Sequence, residues 1–303
     1  VVVADLDPAR AEETVRSIAE PGRVVAASVA DWAEGADVGV LALGGGGHRA
    51  AAERLLEQGS HVVSVSDDVD DVLGLLDLDA EARVRELAVV VGAGFAPGLT
   101  CVLAAHGAAT FDVVDEVHVA KVGTAGPACA RVHHRALTGE AVDWRGGAWQ
   151  RRRAGSGREL VWFPDPVGGQ DCYRANLPDA RLLHGAFPGV ERITARMGAT
   201  RRDRLTAGLP MLRKPHPEGT IGAVRVELRG RRGTARDIAI LGAMDRPGVA
   251  AGSVVAVAAV FAADGSVVRH GAGGLAELVS PVPFLAELAR RGVRAAVFDG
   301  IPA

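Results

Sequence analysis

Valine-dense runs recur through the first hundred residues, each separated from the next by room for a turn or a helix. VVVAD (1–5), RVVAASV (23–29), VGVLALG (38–44), HVVSVSD (61–67) and AVVVGAG (88–94) show no clean alternation of apolar and polar positions. Such runs predict strands buried on both faces, the pattern of a parallel sheet. Helices are predicted over 8–20, from His48 to Gln58, and within 69–87. Strand and helix in regular succession predict a doubly wound α/β domain.

After a further helix near 98–109 the pattern changes. VVDEVHVAKVG reads as a strand, PACARVHHRALTG as a helix stopped by Gly139, and 140–180 is rich in tryptophan, proline and glycine. IGAVRVELRGRRGTARDIAIL predicts a hairpin, and its first strand alternates apolar with charged residues, so one of its faces is wet. Strands paired by hairpins belong to a different sheet from the parallel one. SPVPFLAELARRGVRAAVF then reads as a helix, with Ser280 as N-cap and Gly292 after it, leading into a valine strand. The division expected is 1–110 for the parallel domain, completed by about 280–303, with an α+β domain over 111–279.

Composition narrows the partners. The 303 residues are 48% hydrophobic and 23% charged, with a formal net charge of −3. That balance exerts no pull on nucleic acid or an anionic membrane, and favours a small-molecule substrate. The longest apolar stretch, 249–263, is short of a membrane span; Pro247 before it and Gly265 after it mark a buried helix. Three cysteines, Cys101, Cys129 and Cys172, lie far apart with no CxxC pair. Neither a disulfide framework nor a zinc site is expected, and the chain reads as cytoplasmic.

Candidate chemistry gathers at strand ends. Asp5 closes the first strand, where a carboxylate can accept both hydroxyls of an adenosine ribose; a helix cap or a solvated turn is the alternative. Four glycines, Gly44 to Gly47, follow the strand ending at 44 and precede a helix. Backbone there can approach a flat ring or a phosphate, unless the run is only a tight turn. Ser66 and Asp67 line the same edge, although capping of the next helix explains them equally. VVVGAGFAPG spaces its glycines at 92, 94 and 98, one residue too widely for a pyrophosphate loop, and Pro97 is expected to start a helix instead.

Two residues of the second domain are candidate catalysts. Lys121 shares a strand face with Val117 and Val119, where it either snorkels to the surface or anchors a carboxylate and transfers a proton. His133 lies on the apolar side of its helix, while His134, Arg131 and Arg135 point outward. It is either a hydrogen-bonded core residue or an acid or base. Arginines 201, 202, 204 and 213 with Lys214 and His216 suit a solvated or inter-subunit surface. No hydrolase elbow or HExxH motif is present.

The order of these parts resembles the saccharopine dehydrogenase-like NAD(P)-dependent oxidoreductases with a single Rossmann domain and an inserted substrate domain. VVVADLDPARAE resembles that family's second strand and helix, SVADW its adenine-side turn, GFAPGLT its GxxPGL crossover, and FLAELARRGVRAAVF its closing helix and strand. The resemblance implies a Rossmann-type doubly wound parallel sheet whose first strand and Gly-rich loop are missing, an α+β insert that also forms a homodimer, and a last helix and strand that return to the first domain. It implies that Asp5 holds the ribose, Ser28 and Val29 flank adenine, Leu43, Gly44 and Gly45 contact the nicotinamide half, and Pro97 and Gly98 border the reaction cleft. Leu6, just after the strand end, favours NAD, with NADP possible through Arg10.

The activity implied is hydride transfer on a small carboxylate-bearing amine, imine or keto compound. An S-adenosylmethionine-dependent methyltransferase and a non-catalytic nucleotide-binding or structural protein are the alternatives. About 20 to 30 residues ahead of Val1 would supply the missing strand and loop. A chain so extended is expected to bind dinucleotide more tightly than this one, because the amides that neutralise the pyrophosphate would be restored. Equal dissociation constants for the two chains would refute that expectation.

Overall fold

The computed structural model describes residues 1–20, 22–28, 35–211, 214–293 and 295–298, the last three of these by their backbone. Strand β1 (Val2–Ala4) runs into helix α1 (Pro8–Ile18), which starts because Pro8 has its φ preset and the Asp7 carboxylate accepts the Ala9 amide at 3.1 Å. The chain returns in β2 (Val25–Ala27), parallel to β1. Next come β3 (Val38–Leu41), α2 (His48–Glu57), β4 (His61–Ser64), α3 (Val69–Leu76), α4 (Asp79–Val84), β5 (Ala88–Val90) and α5 (Leu99–Ala108). Asp68 caps α3 by accepting the amides of Asp70 and Asp71.

These strands make two sheets rather than one continuous sheet. Among the described residues β1 pairs only with β2, and β3 pairs only with β4. Valine patterning by itself identifies buried strands but not the partner on each edge.

The second unit comprises β6 (Val113–Val122), α6 (Pro127–Ala136), β7 (Glu140–Arg145), β8 (Ala148–Arg153), β9 (Glu159–Trp162), β10 (Gly169–Arg174), α7 (Asp179–Ala186), β11 (Arg192–Gly198), α8 (Arg201–Thr206), β12 (Gly222–Arg232) and β13 (Ala235–Asp245). The predicted hairpin is β12–β13, in unbroken register from Gly222↔Asp245 to Arg232↔Ala235. Strand β6 lies between β12, antiparallel, and β11, parallel. Its alternation buries Val117, Val119 and Lys121 on one face and turns Glu116 and His118 to the other. Trp144 and Trp149, opposed across β7 and β8, meet edge to face at 5.1 Å.

Helix α9 (Pro247–Ala263) then packs against β3 and β4, and β14 (Gly271–Gly273) extends the parallel sheet to the order β14-β5-β4-β3. The return to the first sheet therefore begins near residue 247, ahead of the expected 280. After α10 (Leu275–Leu278) and α11 (Pro281–Arg290), strand β15 (Ala295–Phe298) pairs antiparallel with β13. The closing strand thus joins the nine-stranded sheet and not the parallel one, which corrects the expected completion of the first domain by 280–303. A Gly-Ala-Gly strand has no β-branched residue to mark it, and a valine strand carries no sign of its partner. Ser280 stands at the N-cap of α11 without a side-chain capping bond.

The GFAPG turn after β5 is tightly built. Gly98 has φ +127°, and a Cβ there would collide with the Gly94 backbone and lie 2.7 Å from the Gly92 carbonyl oxygen. Gly98→Ala is expected to cost at least about 3 kcal/mol in urea unfolding. Gly252→Ala, at an exposed position of helix α9 with no atom within 4 Å of the new Cβ, is expected to gain up to about 1 kcal/mol. A neutral Gly98→Ala would contradict the turn's geometry.

Candidate active site

Because β3, β4 and β5 run parallel, their carboxyl ends open on one edge. The second unit closes over that edge with the end of β6 and the first turns of α6, leaving a cavity of about 310 Å³. Segments 43–45, 65–68 and 94–97 form one wall, and 121–123 with 125–129, Val132 and His133 form the other. The carboxyl edge of a parallel sheet is where open α/β folds place their ligands.

The polar part of the cavity is a four-residue cluster. His133 Nε2 donates to Asp67 Oδ2 at 2.9 Å, and Lys121 Nζ stands 3.8 Å from the same oxygen while donating to the Ala96 carbonyl at 2.9 Å. Cys129, one helical turn before His133, places Sγ 3.6 Å from His133 Nε2 and 3.8 Å from Asp67 Oδ2. Burial alone would raise the Asp67 pKa, but the His133 hydrogen bond and the Lys121 charge outweigh it and hold the carboxyl at about 2. Burial and Lys121 push His133 down; the bond to Asp67 pushes it up, and its net pKa lies above the ordinary 6.5.

The glycine loop is held from behind. Gly45, Gly46 and Gly47 all have positive φ, a path that side chains resist. Asp71, buried on α3, accepts the Gly46 amide at 2.9 Å and the Ser66 hydroxyl at 3.0 Å. His48, fully buried at the start of α2, meets the Ser64 hydroxyl at 2.9 Å, and burial lowers its pKa.

Of the residues singled out from sequence, Leu43, Gly44, Gly45, Ser66, Pro97, Lys121 and His133 all line this one cavity. Pro97 belongs to the turn and not to a helix, since α5 starts at Leu99 after the Gly98 cap. Gly98 is buried beneath the turn against Gly94 and does not line the cavity. Asp5 stands on the separate β1–β2 piece, where its carboxylate accepts the Asp7 amide at 2.8 Å. Ser28 is exposed at the end of β2, and Val29 and Arg213 lie outside the described residues.

Asp67 and Cys129 were not chosen as catalytic candidates. The spacing of Cys129 and His133, i and i+4 on one apolar helix face, was the available signal. Asp179 is a further buried carboxyl that the sequence did not flag. Burial raises its pKa, and it accepts from the Thr100 hydroxyl at 3.3 Å.

Comparison with known proteins shows the fold. No protein-family model and no curated protein matches this chain. Among solved structures, the apo histidine-tagged saccharopine dehydrogenase (L-Glu forming) from Saccharomyces cerevisiae superposes with a TM-score of 0.63 at 14% identity, covering 99% of this chain and 94% of that one. The C. glutamicum DAP dehydrogenase in complex with DAP gives a TM-score of 0.48 at 13% identity, covering 96% and 98%. The chain has a saccharopine dehydrogenase-like α/β fold. No helix among the described residues is long and apolar enough to cross a membrane.

The Asp67 cluster has a pH-dependent contribution with a definite sign. The Asp67 pKa of about 2 lies below the ordinary 3.8, so its contribution of about 2 kcal/mol is present above pH 3.8 and lost as pH falls through 2. The His133 pKa lies above 6.5, so its contribution is complete below 6.5 and lost as pH rises through the folded value. Asp67→Asn is expected to destabilise the protein by about 2 kcal/mol at pH 5, with the cost shrinking toward pH 2. It should also lower the His133 titration midpoint read by NMR. An unchanged midpoint would show that the two do not interact.

Proposed function

We propose that this chain is an NAD(P)-dependent oxidoreductase that moves a hydride to or from a small carboxylate-bearing amine, imine or keto compound. The observation that carries the proposal is the pairing of two unlike walls across one cavity. A side-chain-poor glycine loop at the carboxyl edge of a parallel sheet, with Asp67 on the same edge, faces Lys121 and His133. The likeness to a saccharopine dehydrogenase supports the same reading.

The residues present fit a flat ring. A Cβ at Gly44 would reach 3.7 Å from Ala128 across the cavity, while Cβ atoms at Gly45 and Gly46 would meet nothing within 4 Å. Glycine at 44 therefore keeps the gap between loop and helix open. The nicotinamide, once bound there, supplies or accepts the hydride. Asp5 is proposed for the ribose, Ser28 and Val29 for adenine, and NAD is favoured over NADP by Leu6.

Lys121 would pair with the substrate carboxylate, having spent one donor on the Ala96 carbonyl. His133 shares its Nε2 proton with Asp67 at 2.9 Å, and the pair would act as acid or base toward the same space. A homodimer in a cytoplasmic setting belongs to the same proposal.

Saturation-transfer NMR at millimolar nucleotide tests the reading even where affinity is weak. The strongest transfer is expected to the nicotinamide ring protons of NADH or NADPH, and Gly44→Val should weaken it by about tenfold. Lys121→Met should leave that signal but weaken binding of a small keto acid, pyruvate, by about tenfold. Absence of transfer to both nucleotides would overturn the proposal.

A further inference from the structure

The three atoms Asp67 Oδ2, Cys129 Sγ and His133 Nε2 surround one point at the cavity wall. A nucleophilic Cys-His-Asp relay would use the two ring nitrogens separately, one toward sulfur and one toward the carboxylate. Here the same nitrogen, Nε2, faces both. Convergence of sulfur, nitrogen and oxygen on a common centre is instead the arrangement of a metal ligand set.

We propose that Asp67, Cys129 and His133 form a binding site for a zinc-class divalent ion. A tetrahedral zinc with ordinary bond lengths sets its ligands apart by about 3.6 Å for S···N, about 3.6 Å for S···O and about 3.4 Å for N···O. The corresponding separations are 3.6, 3.8 and 2.9 Å. The first two already match, and the third must open by about half an ångström. Cysteine and histidine at i and i+4 lie on one helix face, as metal ligands on a helix do. Thiolate and imidazole select zinc, cobalt or copper over magnesium or calcium.

The charges balance. Binding sends the Cys129 thiol proton, and any proton on His133, to solvent. Thiolate and carboxylate then cancel the two charges of the ion, so Lys121, 3.8 Å from Asp67, faces a neutral cluster. All three ligand residues line the cavity, which leaves the fourth position to water or to a substrate oxygen.

Cobalt(II) alone, added to the full chain without nucleotide, tests the proposal by absorbance, so a failure to bind NADH leaves this test intact and the converse also holds. One Co2+ per chain is expected, with a thiolate-to-cobalt charge-transfer band and intense visible bands of tetrahedral cobalt. Cys129→Ser should abolish the charge-transfer band, and His133→Gln should weaken binding about 100-fold, each in protein whose circular dichroism matches the parent. Cys101→Ser and Cys172→Ser, at buried cysteines elsewhere, should leave the band unchanged. No thiolate band in the folded parent, or a band that survives both Cys129→Ser and His133→Gln, would overturn the assignment.

Discussion

The Asp67 carboxylate sits where the parallel sheet ends and the second unit begins, 2.9 Å from His133 and 3.8 Å from Lys121. A charge so nearly enclosed persists because its partners are fixed around it; a lone one would have to leave or be neutralised. Those partners arrive on β6 and α6, more than fifty residues further along the chain. The cluster therefore closes the cavity and charges it at once. Removing Asp67 would take away the bond that favours a protonated His133 and leave buried Asp179 as the carboxyl whose charge acts on Lys121.

Asp67 is well placed because both its neighbours are tied. Ser66 donates to Asp71 and Asp68 caps α3, so the backbone on either side of Asp67 has little freedom. Asp71 also holds Gly46, and the Ser66 amide donates to the Ser64 hydroxyl that meets His48. Residues 64–71 thus connect the glycine loop on one strand end to the charged wall on the other. Preorganisation of this kind, together with the His133–Asp67 and Lys121–Ala96 bonds that join the two walls, fixes the distance across the cavity.

Much of this was legible in the sequence, for identifiable reasons. Valine runs without alternation marked β3, β4 and β5, and the alternation of β6 placed Lys121 on its buried face before its partner was known. The clustering of Leu43, Gly44, Gly45, Ser66 and Pro97 follows from the rule that parallel strands share a carboxyl edge, whereas Lys121 and His133 reach the same cavity on β6 and α6. Pairing was not legible. The insertion of β14 and the antiparallel seat of β15 depend on edges, which apolar patterning does not encode. Cys129 escaped because cysteines were weighed against each other, while its relevant neighbours are His133 and an aspartate 62 residues away. Asp67 had a local explanation as a cap; it is Asp68 that does the capping.

Two chemistries can share this wall because they leave the same charge behind. With His133 protonated, Asp67 and His133 cancel, Cys129 is neutral, and Lys121 contributes a single positive charge. With a divalent ion bound, the ion cancels Asp67 and the Cys129 thiolate, His133 is neutral, and Lys121 again supplies the single charge. On both proposals an anionic substrate would meet the same net attraction, and what would change is the electrophile beside it: a proton on nitrogen in one case, a metal ion in the other. The tie of Lys121 to the Ala96 carbonyl anchors the charged cluster to the GFAPG turn, whose close backbone approach at Gly98 leaves no room for a Cβ, so turn and cluster share one geometry.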